Sequence, residues 1–248
     1  VSRLFSGSRV TANENASVKM INGKMASSAA ALTGLVGTMS RKNSAIEGTG
    51  PGSSAVVSAA CNAAAASAGR GNAARRAGVS IAAIAAEHMK SRFPRTVILD
   101  TDMHHGQGIQ EIFYDRSDVL YISIHGDPTN FYPVVSGFED ERGEGEGYGY
   151  NINMPMPHGA SEDDFFAKVE EALAAIRLYQ PDALILTLGF DIYKNDPQAK
   201  VSVTSEGFCR LSTHIRQLGL PTLVVQEGGY DLDTLSENVQ QFFKGLAG

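Results

Sequence analysis

Four short apolar runs limit most strongly what this chain can fold into. They are Thr96–Leu99, Val119–Ile124, Ala183–Leu188 and Thr222–Val225. Uninterrupted apolar runs of this length are typical of strands that are buried on both faces of a parallel sheet. Segments with helical spacing of apolar residues alternate with them. The sequence therefore predicts an α/β fold, in which a parallel sheet is flanked by helices on both faces.

The helical segments are recognised by apolar side chains that recur every three or four residues. Asp163–Tyr179 shows this pattern clearly, and Ser161 is its expected N-cap, with Asp164 three residues later. The sequence also predicts a helix that ends near Lys90 before Pro94, helices at Gly108–Tyr114, Phe208–Leu218 and Leu235–Leu246, and a strand at Tyr150–Pro155.

The first 93 residues differ in composition from the remainder of the chain. They contain 11 Lys and Arg against 3 Asp and Glu, whereas residues 94–248 contain 10 against 24, so charges of +8 and −14 give the net −6. Residues 1–78 are rich in Ala, Ser and Gly and offer few large apolar side chains for a core. An organelle transit peptide, an out-of-register translation and a poorly packed helical region all fit this composition. We therefore divide the chain into a low-complexity segment, 1–78, and an α/β domain, 79–248.

The segment DTDMHHG, directly after the first apolar run, indicates a metal site. Residues two apart in an extended segment point to one face, so Asp100, Asp102 and His104 share a face. Asp102 and His104 can bind one cation together, and Asp191 after the third run is the natural third ligand, because strand ends meet at one edge of a parallel sheet. Two carboxylates and one imidazole leave a position open for water, as in catalytic zinc sites. The alternative is a capped strand end with a solvated histidine pair.

Four motifs in the second part of the chain resemble one known superfamily. LDTDMHHGQG, VLYISIHGDPTNFYP, LGFDIYKNDP and EGGYD occur in the order found in histone deacetylases and acetylpolyamine amidohydrolases, which share the arginase–deacetylase fold. The motifs that carry the resemblance lie within residues 96–248, and the similarity begins upstream of them, near Ala82. It implies a zinc-dependent hydrolase that removes acetyl groups from acetylated amines, such as an acetylpolyamine or acetyl-lysine. The stretch SGFEDERGEGEGYGYNINMP is more similar to the acetylpolyamine amidohydrolase branch.

The resemblance assigns a catalytic role to four residues. Asp102, His104 and Asp191 correspond to the ligands of a single zinc ion. Tyr230 corresponds to the tyrosine that polarises the scissile carbonyl, where its hydroxyl donates a hydrogen bond to the developing oxyanion.

The resemblance also implies a potassium ion buried beside the zinc. Its expected ligands are oxygen atoms, which suit an alkali cation. They are the carboxylate and carbonyl of Asp100, the hydroxyl of Ser123, and the carbonyls of Asp102, His104 and Ile124.

Further residues are expected to form the substrate channel. Phe131 and Tyr132 resemble the aromatic wall that grips a linear acyl-lysine chain. Gly228 is expected beside this channel, and Gly228 and Gly229 are expected to let the backbone turn sharply and bring Tyr230 over the metal.

One feature of the superfamily is missing from the sequence. The resemblance predicts a tandem histidine pair upstream of the zinc motif, which acts as general base and acid. The sequence has six histidines, and the only adjacent pair is His104–His105, within the metal motif. We therefore expect that the N-terminal part of the fold is missing or replaced. A catalytically inactive metal-binding pseudoenzyme remains the alternative to a deacetylase.

Composition excludes several other classes. A net charge of −6 and a pI near 5.5 give no electrostatic basis for binding nucleic acid or an anionic membrane. Cys61 and Cys209 lack the spacing of a thiolate zinc site and indicate buried thiols in a reducing compartment. We expect a cytoplasmic protein that acts on a small acetylated amine or an acetyl-lysine peptide and can form a homo-oligomer. The acidic loop Glu139–Glu146 is either a solvated loop or a rim that attracts polyamines.

Overall fold

The computed structural model describes residues 54–58 and 80–248. Apart from residues 54–58, segment 1–78 lies outside the described residues, and so does the prediction for Cys61. Within that segment, Ser54–Ser58 forms a β-strand, whereas its alanine content had favoured helix. Local propensity is overridden here by pairing with a strand about 170 residues away in the sequence.

The described elements alternate between strands and helices, as the sequence predicts. The strands are β1 (Ser54–Ser58), β2 (Thr96–Asp100), β3 (Val119–Gly126), β4 (Asn151–Met156), β5 (Ala183–Leu188) and β6 (Thr222–Gln226). The helices are α1 (Ile81–Met89), α2 (Gln107–Phe113), α3 (Glu162–Tyr179), α4 (Ser205–Gln217) and α5 (Leu235–Ala247), with a short 3-10 helix at Gly145–Gly147.

The six strands of the described residues are all parallel and lie in the order β1-β6-β5-β2-β3-β4. Every residue of β2, β3 and β5 is buried, because side chains on both faces of the sheet meet helices. In β2, Ile98 packs in the cluster that contains α1 and α2, whereas Val97 and Leu99 pack in the cluster that contains α3, α4 and α5. The predicted α/β architecture with helices on both faces is confirmed.

Helix boundaries follow from local hydrogen bonds. Ser161 Oγ accepts a hydrogen bond from the Asp164 amide, and the Asp164 carboxylate accepts one from the Ser161 amide, so the two residues form a complete capping box. Helix α4 starts three residues before the predicted Phe208, because Thr204 caps it through a hydrogen bond from the Gly207 amide (3.1 Å). None of the described helices is both long and apolar enough to span a membrane.

Parallel pairing places the carboxyl ends of all strands at one edge of the sheet. The polar segments that follow β2, β3, β5 and β6 therefore converge there. The register pairs Asp100 at the end of β2 with Ser123 on one side and Thr187 on the other. The fold thus brings Asp102 and Gly228, which are 126 positions apart in the sequence, into hydrogen-bond contact.

Candidate metal centre and active-site pocket

The three predicted zinc ligands lie together at the edge of the sheet where the strands have their carboxyl ends. Donor atoms of Asp102, His104 and Asp191 are all within 4.8 Å of one another. His104 Nδ1 lies 3.3 Å from Asp102 Oδ1 and 3.1 Å from Asp191 Oδ2. Asp191 is fully buried and His104 is partly buried. Two carboxylates and one imidazole in this arrangement match the donor set of a catalytic zinc site.

Backbone amides hold the two carboxylates in place. The Met103 amide donates to Asp191 Oδ1 (3.0 Å), and the His104 amide donates to Asp102 Oδ1 (2.9 Å). The Gly228 amide donates to Asp102 Oδ2 (2.7 Å) from the segment after β6. Such supporting hydrogen bonds fix the orientation of metal ligands before the ion arrives.

The electrostatics of the cluster favour a cation. Burial lowers the pKa of His104, but hydrogen bonds to Asp102 and Asp191 outweigh it and raise the pKa to about 9. Burial raises the pKa of Asp191, and the nearby Asp102 adds to this effect. Without a metal, a proton on His104 therefore offsets part of the negative charge of the carboxylates. A divalent cation fits the same position and offsets more of that charge.

A pocket of about 500 Å³ lies next to this cluster. It opens between the ends of β2, β5 and β6, the start of α2 and the loop that follows β3. Its walls include Asp102, His104, Gln107, Tyr132, Glu227 and Tyr230. A small molecule that enters the pocket meets two of the metal ligands, Asp102 and His104, together with two tyrosine side chains.

The two predicted channel aromatics have different surroundings. Phe131 is buried and stacks on the His104 ring, with centroids 4.9 Å apart and 19° between the planes. Tyr132 is 60% exposed, lines the pocket and meets the His104 ring at its edge, with centroids 6.0 Å apart. This geometry favours Tyr132 as the wall and Phe131 as the support of a metal ligand.

The two glycines before Tyr230 are needed for different reasons. Gly229 has a φ of +142°, which residues with a side chain rarely adopt. Gly228 lacks a positive φ, and its constraint is close approach: a Cβ there would lie 2.6 Å from Asp102 Oδ2 and closer still to Asp191 Oδ2. Gly228 is therefore needed for its close contact with the metal ligands, and the positive φ that suits a sharp turn occurs at Gly229.

Tyr230 lies at the pocket with 52% of its surface exposed. Burial of the remainder, together with the nearby carboxylates of Asp191 and Asp102, raises its pKa above the usual value. The hydroxyl is therefore protonated near neutral pH and able to donate a hydrogen bond.

Two of the expected potassium ligands, Asp100 and Ser123, are paired in the register of β2 and β3. Asp100 is buried, and its carboxylate accepts hydrogen bonds from the Tyr121 hydroxyl (2.9 Å) and the Asp102 amide (3.1 Å). Burial, followed by repulsion from Asp102, raises the pKa of Asp100 to about 8. A neighbouring cation would offset both effects, because it favours the charged carboxylate.

The hydroxyl of Ser123 has oxygen lone pairs available for the same cation. His125 Nε2 lies 2.9 Å from the Gly137 carbonyl, which can only accept a hydrogen bond. Burial lowers the pKa of His125 to about 4, so the ring is neutral and Nδ1 accepts from Ser123 Oγ (2.8 Å). Because Ser123 donates its proton to His125, its oxygen can coordinate a cation.

Two other histidines outside the metal motif, His158 and His214, have protein partners. His158 Nε2 lies 2.9 Å from the Asp127 carbonyl, and His214 Nδ1 lies 3.1 Å from Glu170 Oε1.

Two polar residues that line the pocket, Gln107 and Glu227, could not be identified as such from the sequence. Glu227 is partly buried there, and burial followed by repulsion from Asp102 and Asp191 raises its pKa to about 7. Gln107 Oε1 is buried and has no hydrogen-bond partner among the described residues. Both residues lie within the sequence motifs, but only the folded structure shows that they line the pocket.

Glu141 was also missed, because it was grouped with the acidic loop. Its Oε2 atom accepts hydrogen bonds from Gln110 Nε2 (2.9 Å), the Gly137 amide (2.7 Å), the Phe138 amide (3.2 Å) and Asn153 Nδ2 (3.2 Å). Glu141 therefore anchors its loop to the body of the domain. The rim interpretation applies only to the four exposed acids, Glu139, Asp140, Glu144 and Glu146.

Comparisons with known proteins agree with this site. A model of the histone deacetylase domain matches residues 25–246, so the match extends upstream of Ala82, where the motifs had placed its start. The acetylpolyamine amidohydrolase of Burkholderia pseudomallei is 62% identical over 165 residues, which cover 66% of this chain and 48% of that protein. Acetylpolyamine amidohydrolase 1 of Pseudomonas aeruginosa is 42% identical over 154 residues, which cover 62% of this chain and 44% of that protein.

The fold is similar to solved structures of the same group. The crystal structure of the acetylpolyamine aminohydrolase from Burkholderia pseudomallei matches with a TM-score of 0.67 and 61% sequence identity, and covers 67% of this chain and 49% of that chain. This likeness confirms the expected arginase–deacetylase architecture. The chain spans about half the length of the curated relatives it matches.

Proposed function

This chain belongs to the histone deacetylase family, and we propose that it is a zinc-dependent hydrolase that removes acetyl groups from acetylated amines. One observation carries the proposal. Asp102, His104 and the fully buried Asp191 converge within 4.8 Å, and Asp102 and His104 line a pocket that Tyr230 also lines. The pocket thus combines a zinc donor set with a hydrogen-bond donor for an oxyanion.

Each residue of the site has a defined task in amide hydrolysis. Zinc held by Asp102, His104 and Asp191 would supply Lewis acidity and lower the pKa of a bound water. Tyr230 donates a hydrogen bond to the carbonyl oxygen as negative charge develops on it. Tyr132 packs against the alkyl chain of the substrate and excludes water from one side of it. Phe131 holds the His104 ring in the orientation that the metal requires.

A potassium ion beside the zinc is the second part of the proposal. The charged form of the buried Asp100 needs a nearby cation, and the Ser123 oxygen faces the same region with its proton donated to His125. The carbonyls of Asp102, His104 and Ile124 would complete the set of oxygen ligands. The ion would stabilise the end of β2, from which two zinc ligands follow.

Acetylpolyamines are the substrate class that we favour within the acetylated amines. Support comes from the two relatives named acetylpolyamine amidohydrolase, at 62% and 42% identity, and from the exposed acids of the loop after β3. A cationic polyamine gains long-range attraction from such a loop, which salt screens over roughly 8–10 Å. Catalytic efficiency on an acetylpolyamine should therefore fall as salt rises, with little change for a neutral acetylated amine.

Proton transfer distinguishes the enzyme from the pseudoenzyme alternative. No tandem histidine pair precedes the metal motif within the sequence given, and such a pair is the usual general base and acid of the family. The pseudoenzyme alternative keeps the metal and predicts no turnover.

The test is release of acetate by the zinc-loaded chain from an acetylpolyamine and from an acetyl-lysine peptide. We expect turnover that a hydroxamate inhibits, because a hydroxamate chelates zinc. Asp191→Ala should lose both zinc and turnover, whereas Glu139→Gln on the exposed loop should keep both. A chain that binds one zinc but releases no acetate would contradict the hydrolase and support the pseudoenzyme.

A further inference from the structure

Asp196 is a buried carboxylate that is satisfied by backbone amides alone. The residue is 6% exposed, and no described residue forms an ion pair with it. Its Oδ1 atom accepts a hydrogen bond from the Gln198 amide (2.8 Å). Its Oδ2 atom accepts from the Tyr230 amide (2.6 Å) and the Asp231 amide (3.0 Å). Two of its three donors therefore belong to the turn that carries Tyr230, more than 30 residues further along the chain.

Besides the bond from its amide to Asp196, Tyr230 accepts a hydrogen bond at its carbonyl from the Leu232 amide (3.1 Å), which is local to the same turn. Its ring is half exposed, so core packing restrains it only on one side. The preceding Gly229 has no side chain and occupies a φ of +142°. Asp196 itself is well fixed, because its amide donates to the Tyr193 carbonyl (2.8 Å) in the segment that follows Asp191. The carboxylate thus connects the turn of Tyr230 to the segment of a metal ligand.

We propose that Asp196 is a positioning residue for Tyr230, which fixes the distance between the tyrosine hydroxyl and the metal centre. The inference rests on the proposed function, in which that hydroxyl stabilises the oxyanion. Hydrogen bonds to a carboxylate are stronger than those to a neutral amide oxygen, so the charge matters as well as the shape. A displacement of about 1 Å at a catalytic group costs on the order of 10²-fold in rate.

The first test compares Asp196→Asn in two backgrounds. With Tyr230 present, we expect kcat for acetate release to fall about 10- to 100-fold, with a much smaller change in KM. With Tyr230→Phe, the same substitution should cause little further loss, because the hydroxyl it positions is gone. An equal loss in both backgrounds would overturn the inference and assign Asp196 to general stability.

Two further variants complete the comparison. Asp233→Asn makes the same charge change three residues from Tyr230 on an exposed side chain, and it should leave kcat unchanged. Asp196→Glu keeps the charge but moves it by one methylene, so it should recover part of the rate lost in Asp196→Asn. If Asp196→Asn does not fold, Asp196→Glu serves for the two-background comparison.

The second test does not require activity. When 3-fluorotyrosine is placed at position 230 of the zinc-loaded chain, a single ¹⁹F resonance should report the environment of the tyrosine ring in its fixed position. We expect Asp196→Asn to shift or broaden it and Asp233→Asn to leave it unchanged. Spectra that are identical in all three proteins would overturn the positioning role. A chain without acetate release but with the expected spectral change would refute the proposed function alone.

Discussion

Replacing Gly228 with alanine should weaken zinc binding without unfolding the domain. The added Cβ would lie 2.6 Å from Asp102 Oδ2, whereas ordinary contact begins near 3.4 Å, so the atoms must separate by about 0.8 Å (3.4 − 2.6). The added Cβ would lie even closer to Asp191 Oδ2 than to Asp102 Oδ2. Neither carboxylate can simply rotate away, because amides of Met103, His104 and Gly228 hold them.

The required shift exceeds what a metal site tolerates. Metal–ligand distances in a good site vary by about 0.2 Å. Disturbing the groups that support metal ligands typically costs about 10- to 100-fold in affinity. We expect Gly228→Ala to lower zinc affinity by at least this factor.

Competition with a fluorescent zinc chelator measures the effect. Gly219→Ala is the matched control, since it also places alanine at a glycine but has a φ of +67° and no heavy atom within 4 Å of the new Cβ. It should lose some stability and keep its zinc affinity. Asp191→Ala, which removes a zinc ligand, sets the lower limit of zinc affinity, and this variant should lose most of its zinc. Unchanged affinity in Gly228→Ala would refute the close-approach argument.

Three other predictions follow from single side chains. Tyr230→Phe should lower kcat by about 10²–10³-fold with little effect on KM in acetate-release assays, and unchanged turnover would assign the ring to packing. Burial lowers the pKa of His125 to about 4, so the unfolded chain binds this proton below about pH 6.5 and the folded chain does not. Urea unfolding should therefore show the stability of the unsubstituted chain, relative to that of His125→Gln, falling by up to about 3 kcal/mol between pH 6.5 and 4. Glu141→Gln should speed tryptic cleavage after Arg142, when each rate is normalised to that of a peptide with the same sequence. Glu139→Gln should not change the normalised rate. Equal rates in the two variants would show that Glu141 does not anchor the loop.

The sequence was sufficient to predict the sheet and most of the helices because their signals are local. Buried parallel strands appear as apolar runs, and α3 shows both its periodicity and its capping box within 20 residues. Strand β1 could not be predicted in this way, because its five residues acquire their conformation from pairing with β6. The N-cap of α4 was missed because Thr204 precedes the first large apolar residue of the pattern.

The metal ligands were predictable for a related reason. Asp102 and His104 lie two residues apart after one strand, and Asp191 lies after another, so the topology of a parallel sheet is enough to bring them to one edge. Residue type and spacing thus determined the fold class and the donor set. The same information could not show whether Phe131 or Tyr132 lines the pocket, because both are aromatic residues in one loop.

Only the tertiary structure decided how the site is supported. Gly228 is required by close approach to Asp102, which lies 126 residues earlier, and Asp196 reaches the Tyr230 amide across 34 residues. The Gly137 carbonyl selects the His125 tautomer that carries its proton on Nε2. His125 Nδ1 therefore accepts the Ser123 proton, which leaves the Ser123 lone pairs available. Hydrogen bonds between distant segments leave no periodicity in the sequence, because their geometry depends on the packing of whole elements. The sequence therefore determined which chemical groups this protein has, and the fold decided which of them hold the others in place.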